Sequence, residues 1–176
     1  TVTTTTWPGN TIGTTVFLGK ADAVRIVKIE MFDHTDNANP VFVSDVTGNF
    51  RLDNGQTDYA YKESSVVMTT PVSGGVTGNS RLHITFTYFD HSGTEGFFTV
   101  DSYSQVINDP ANNLTYADIP VFVAANGAKI PLIDAFDFRP IMLLDGTMNG
   151  VVPANDSTAI FDVEFYLPRT DIIQIN

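Results

Sequence analysis

Arg81-Leu82-His83-Ile84-Thr85-Phe86-Thr87-Tyr88-Phe89 decides the fold. Leu82, Ile84, Phe86 and Tyr88 alternate with His83, Thr85 and Thr87. Alternate side chains of a strand point to opposite faces, so this stretch reads as a β-strand with one apolar face. Asp90-His91-Ser92-Gly93 ends it, and Gly96 to Val100 is expected to form the next strand. On the other side, Pro71 to Ser80 is a Gly-rich loop preceded by a strand over Ser65 to Thr70.

The same pattern recurs outward. Val24 to Phe32 predicts a strand with Val27, Ile29 and Met31 on one face and Lys28 and Glu30 opposite. Val41 to Val43 predicts a short strand, and Val46 to Asn49 a turn. Phe50-Arg51-Leu52 runs into Asp53-Asn54-Gly55-Gln56, where Asn-Gly signals a tight turn. Ile119 to Ala124 and Lys129 to Leu132 flank Asn126-Gly127 and predict a hairpin, with Pro131 keeping it at an edge. Ala159 to Leu167 alternates again and predicts a last strand. Asp101 to Asp118 is long and polar. No segment repeats apolar residues at helical spacing over three turns. Seven to nine short strands with turn signals predict an all-β fold, an antiparallel two-sheet β-sandwich with long loops. Residues 1–15, rich in Thr and closed by Trp7-Pro8-Gly9-Asn10, read as a linker or edge extension. Residues 16–176 read as a single β-sandwich domain.

Composition agrees. The chain has 176 residues, 43% of them hydrophobic, with 13 Phe to fill a core. Its net charge is −11, from 9 Lys and Arg against 20 Asp and Glu. That field repels phosphate backbones and anionic lipid, which argues against nucleic-acid and membrane partners. Cysteine is absent, so disulfides, thiolate nucleophiles and Cys zinc sites are excluded. The chain starts without Met and ends in an apolar run, Asp171 to Ile175, which predicts a fragment of a longer protein.

Few residues suggest chemistry. His34 and His91 each follow Asp and precede Thr or Ser. Neighbours on a turn diverge, so they do not make a triad, and no Gly-x-Ser-x-Gly elbow is present. Asp33, Asp36, Asp45, Asp53, Asp58, Asp90, Asp101, Asp134 and Asp137 sit mostly in loops, yet no calcium-loop spacing joins them. No catalytic residue, cofactor or metal is therefore expected. Trp7, Tyr59, Tyr61, Tyr103 and Tyr116 lie in or near loops and supply the rival reading, a glycan-binding surface.

Asp137-Phe138-Arg139-Pro140 and Leu167-Pro168-Arg169-Thr170-Asp171 each place Arg beside Pro. A guanidinium binds carboxylates in a bidentate manner. Asp137, Arg139, Pro140, Pro168, Arg169 and Asp171 are therefore expected to be structural clamps that tie a loop or the domain end to its neighbour.

These segments also carry a resemblance. Asp101-Ser102-Tyr103, Tyr116-Ala117-Asp118-Ile119-Pro120, Asp134 to Pro140 and Phe165 to Asp171 are similar, in order and spacing, to a domain of large structural proteins of tailed phages. T4-like phages of cyanobacteria are the best example. Leu52 to Tyr61 and Tyr88 to Gly93 resemble earlier motifs of that family. In the family pattern the second Tyr is followed by an Asp-His pair, whereas Lys62-Glu63 stands here. The resemblance covers residues from about 50 to the C-terminus. It implies a non-catalytic structural module of the virion, of tail, baseplate or fibre, assembled in the host bacterial cytoplasm. Its implied partners are other virion proteins, including copies of itself. A receptor- or glycan-binding role on a fibre is the alternative.

Overall fold

The computed structural model describes residues 1–33, 41–74, 76–90, 96–103, 114–149 and 158. Over them the chain is an all-β sandwich. The first sheet contains β1 (Val2–Thr6), β7 (Ser80–Tyr88), β3 (Ala23–Asp33) and β4 (Val41–Asp45), in that order and antiparallel throughout. The second is built around β6 (Tyr61–Met68). β2 (Thr15–Ala21) and β5 (Phe50–Asp53) pair with it antiparallel. β10 (Ile141–Met142) joins β6 in parallel, with Ile141 opposite Tyr61, and β11 (Met148–Asn149) closes that side. A hairpin of β8 (Val121–Val123) and β9 (Lys129–Pro131) stands apart. Among the described residues the expected all-antiparallel pairing thus has one exception. β10 reaches β6 by a long route through the second half of the chain, which is what a parallel neighbour requires.

The core lies between the two sheets. β7 supplies Leu82, Ile84 and Phe86, which are almost wholly buried, and Tyr88 packs at the rim. β2 supplies Val16 and Leu18, and β6 supplies Val66 and Met68. β3 supplies Ile29 and Met31, but Val27 is 56% exposed. Ile26 pairs with Phe86 and Lys28 with Thr85, so Val27 is the extra residue of a β-bulge. A one-residue insertion reverses the facing of what precedes it. Ile26 therefore packs against the core in the place expected of Val27.

Other expectations change in the same way. β6 runs Tyr61–Met68 rather than Ser65 to Thr70. Asn54-Gly55 does not make a two-residue hairpin, because residues 54–60 connect β5 to β6. Gly55, at φ +76°, folds back on β6 instead, and the Lys62 amide donates to its carbonyl at 2.9 Å. Gly96 to Val100 is not a strand. Phe98 makes a single bridge to Asp137, and residues Val100–Tyr103 form a 3-10 turn. The expected strand at Ala159 to Leu167 lies outside the described residues.

A second apolar cluster closes one end of the sandwich. It gathers Tyr61, Phe89, Phe98, Tyr103, Phe122 and Leu132 with smaller neighbours, mostly from loops and short turns. Phe89 meets Tyr103 edge-on at 4.8 Å between centroids, and Tyr61 meets Phe98 in the same way at 5.8 Å.

Gly55 and Gly127 separate two glycine effects. A Cβ on Gly55 would lie 2.8 Å from the Glu63 carbonyl oxygen, whereas one on Gly127 (φ +84°) meets nothing within 4 Å. Gly127→Ala should cost only the left-handed backbone penalty, about 1–2 kcal/mol. Gly55→Ala should cost clearly more, since backbone must also move. Urea denaturation of the two variants checks the order, and equal costs would contradict it.

Candidate functional site

The segment Ala135–Pro140 crosses the second cluster and places its side chains on two sides. Phe98 and Asp137 exchange backbone hydrogen bonds at 2.7 and 2.8 Å, which fixes the segment's height. Asp137 is buried and Arg139 half-buried. The Arg139 side chain forks onto Asp137: Nη2 donates to Oδ2 at 2.6 Å, and Nε reaches Oδ1 at 3.0 Å. The Arg139 amide also donates to Asp137 Oδ1 at 2.9 Å. A residue before proline is held extended, so Pro140 restricts the backbone of Arg139. The Pro140 carbonyl then accepts from the Tyr61 amide at 2.8 Å and starts the β10–β6 pairing.

The guanidinium lies between two aromatic rings, 4.4 Å from the centre of Tyr61 and 4.0 Å from that of Phe122. Its Nη1 donates to the Thr57 carbonyl at 2.9 Å, and Nη2 approaches Gln56 Oε1 at 3.4 Å. Gln56 in turn donates from Nε2 to Asp22 Oδ1 at 2.6 Å. Asp22 is the single residue between β2 and β3, where the chain passes from one sheet to the other. It is 1% exposed and left-handed at φ +50°. Asp tolerates that conformation better than most residues. Its carbonyl accepts from the Phe89 amide at 3.1 Å. Tyr61 completes the chain of contacts by donating its hydroxyl to Asp137 Oδ2 at 2.5 Å.

The electrostatics follow from this arrangement. Burial alone would push the Asp137 carboxyl up. The hydrogen bonds from Arg139 and Tyr61 outweigh it and hold Asp137 below the usual carboxylate range. Burial would likewise lower Arg139, and its bond to Asp137 reverses the direction. Burial, reinforced by neighbouring Tyr103 and the Asp137 and Asp22 carboxyls, pushes the Tyr61 hydroxyl far up. Burial, then Asp22, does the same to Tyr103. Tyr61 thus stays neutral and remains a donor.

The other expected residues are placed as follows. Pro168, Arg169, Asp171, His34, His91 and Asp36 lie outside the described residues. His83 sits on β7, with Nδ1 3.5 Å from Thr4 Oγ1. Asp45 and Asp53 accept the backbone amides of Thr47 and Gly55 two residues on, as turn aspartates do, whereas Asp58 accepts the distant Ala125 amide of the β8–β9 hairpin. Among the described residues no three His, Asp or Glu side chains converge as a metal ion would need. Tyr61 and Tyr103 are core residues, not surface aromatics, and Trp7 packs against the main core. Tyr59 and Tyr116 are exposed, at 60% and 48%. Asp22 and Gln56 were not anticipated, since nothing local marks their long-range contact.

The outer side of the segment is apolar. Phe136 and Phe138 are 46% and 43% exposed, and Phe97 packs against both, at 6.1 and 5.8 Å. A separate groove of about 640 Å³ lies on the second sheet, lined by Phe17, Val67, Met142 and Leu144 with Asp53 and Glu63. Glu63 accepts the Gly19 and Leu144 amides, so its oxygens are already engaged.

Comparison with family models, curated proteins and solved structures finds no match.

Removing one member of a buried ion pair strands the other charge, at about 3–5 kcal/mol. Arg139→Met should lose that much in urea denaturation near neutral pH. Asp137→Asn together with Arg139→Met should recover part of it, and equal losses in both variants would contradict the pairing. The pH dependence has a fixed sign. Asp137 binds its proton less readily when folded than unfolded. Its contribution is therefore present above the unfolded carboxyl pKa of about 3.9 and is lost as pH falls through the folded value. Thermal melts from pH 6 to pH 2 should show a shallower acid slope in Asp137→Asn than in the unaltered chain.

Proposed function

We propose that the chain is a non-catalytic structural and assembly module of a bacteriophage virion protein, of tail, baseplate or fibre. One observation carries the reading. The 134–140 motif, one of the segments that carry the resemblance to phage structural proteins, pairs Asp137 with Arg139 internally and leaves Phe136 and Phe138 turned to solvent. A catalytic pair must be reachable by substrate, yet Asp137 and Tyr61 are 8% and 0% exposed. Paired aromatics on a rigid frame are instead what a protein–protein contact uses as anchors.

The partners under this reading are other virion proteins and further copies of the chain, met in the host cytoplasm during assembly. The charge of −11 favours neither nucleic acid nor membrane. A second reading, a glycan-binding surface on a fibre, is favoured by Tyr59, whose ring lies 5.0 Å from Lys62 Nζ, and by exposed Tyr116. It has lost Tyr61 and Tyr103 to the core.

Exposed positions contribute little to stability, so Phe136→Ser with Phe138→Ser should change that of the isolated chain by about 1 kcal/mol or less. Placed in the parent gene of the phage that carries it, the same pair should give incomplete particles by electron microscopy. Complete, infectious particles at normal yield would refute the assembly reading. Binding of the isolated chain to a glycan array at millimolar ligand, lost in Tyr59→Ala, would favour the second reading.

A further inference from the structure

Among the described residues β1 is an edge of the four-stranded sheet, and its register against β7 runs without a bulge from Val2 to Thr6. Thr1 and Phe86 exchange both backbone hydrogen bonds at 3.0 Å. Bonded and non-bonded pairs alternate along an antiparallel ladder. Thr3 and Thr5 therefore also bond to β7, while Val2, Thr4 and Thr6 direct their N–H and C=O groups away from it. The side chains of those three residues are exposed as well. The strand is held in place, since Thr3 Oγ1 donates across to the Leu18 carbonyl at 3.1 Å.

Proteins guard such edges with charge, proline or bulges. β4 carries Asp45 and a bulge opposite β3, β2 carries Lys20 and a bulge, β5 carries Arg51 and Asp53, and β9 carries Lys129 and Pro131. β1 carries no such guard, and Thr1 to Thr6 contain no charged side chain.

We propose that β1 is a self-association edge, pairing antiparallel with the β1 strand of a second copy about a two-fold axis at Thr4. That axis sets Thr4 opposite Thr4 and Val2 opposite Thr6, so all three outward-facing residues find a bonded partner. No like charges meet across the strands, although each copy carries −11 overall. The two four-stranded sheets become one continuous sheet. A contact of this length falls in the small class of interfaces, so the free dimer is weak. Salt screens the repulsion between copies and tightens it. The β1 edge gives one surface by which the copies of the chain named above can meet, and it rests on the register of β1 alone. Its test uses only purified chain, so either proposal can fail alone.

Sedimentation of the chain from micromolar to millimolar concentration should show a reversible dimer, stronger at high salt. Thr4→Lys, at an exposed position, should keep its melting temperature and stay monomeric. The chain has no Cys, so single-cysteine variants report proximity cleanly. Bonded antiparallel partners lie about 5.5 Å apart at Cα, within disulfide range. Thr4→Cys should therefore oxidise to a dimer at least tenfold faster than Val121→Cys, which is exposed elsewhere. A chain that stays monomeric at millimolar concentration, or equal oxidation of the two variants, would overturn the proposal.

Discussion

A guanidinium drawn out of water between two aromatic rings must be given acceptors for its donors, or its desolvation outweighs the packing it brings. Arg139 meets that constraint with Asp137, the Thr57 carbonyl and Gln56. Much of the irregular end of the molecule follows from it. Asp137 must be buried, which requires the bridge to Phe98. The 54–60 connection must present the Thr57 carbonyl to Nη1, and its other end lies against β6 at Gly55. Pro140 then delivers the chain to β6 as a parallel neighbour, the pairing least expected in this sheet.

The two ends of the sandwich are held by different physics. Between the sheets, alternation buries Leu82, Ile84, Val66 and Met68, and the fit is apolar. At the other end a polar chain runs from Asp22 through Gln56 and Arg139 to Asp137 and Tyr61 inside a shell of aromatic rings. Such networks are costly when half-satisfied and rigid when complete. The Asp137 and Arg139 charges are used internally, and the outer side of the same segment presents Phe136 and Phe138 beside Phe97.

The regular half was legible in the sequence because period-two alternation is a local signal. β7 could be read from nine residues. The β8–β9 hairpin followed from Asn126-Gly127, and Gly127 does take a positive φ. The bulge at Val27 was not legible, because the partner strand decides it. Arg139 stood out through its neighbouring proline and the scarcity of cations. Its stacking on Phe122 and its route to Asp22 depend on residues far away in the chain. Tyr61 and Tyr103 misled for a related reason. Tyr61 opens β6 and Tyr103 ends a short 3-10 turn, where too few residues follow a period to tell core from surface, and tertiary closure made both core.

Amide hydrogen exchange compared between the unaltered chain and Arg139→Met tests most directly whether Arg139 organises this end. The predicted result is joint loss of protection at the Phe98, Asp137 and Tyr61 amides, with Ile84 and Phe86 on β7 still protected. Unchanged protection at the first three, or an even loss across both sheets, would contradict the account.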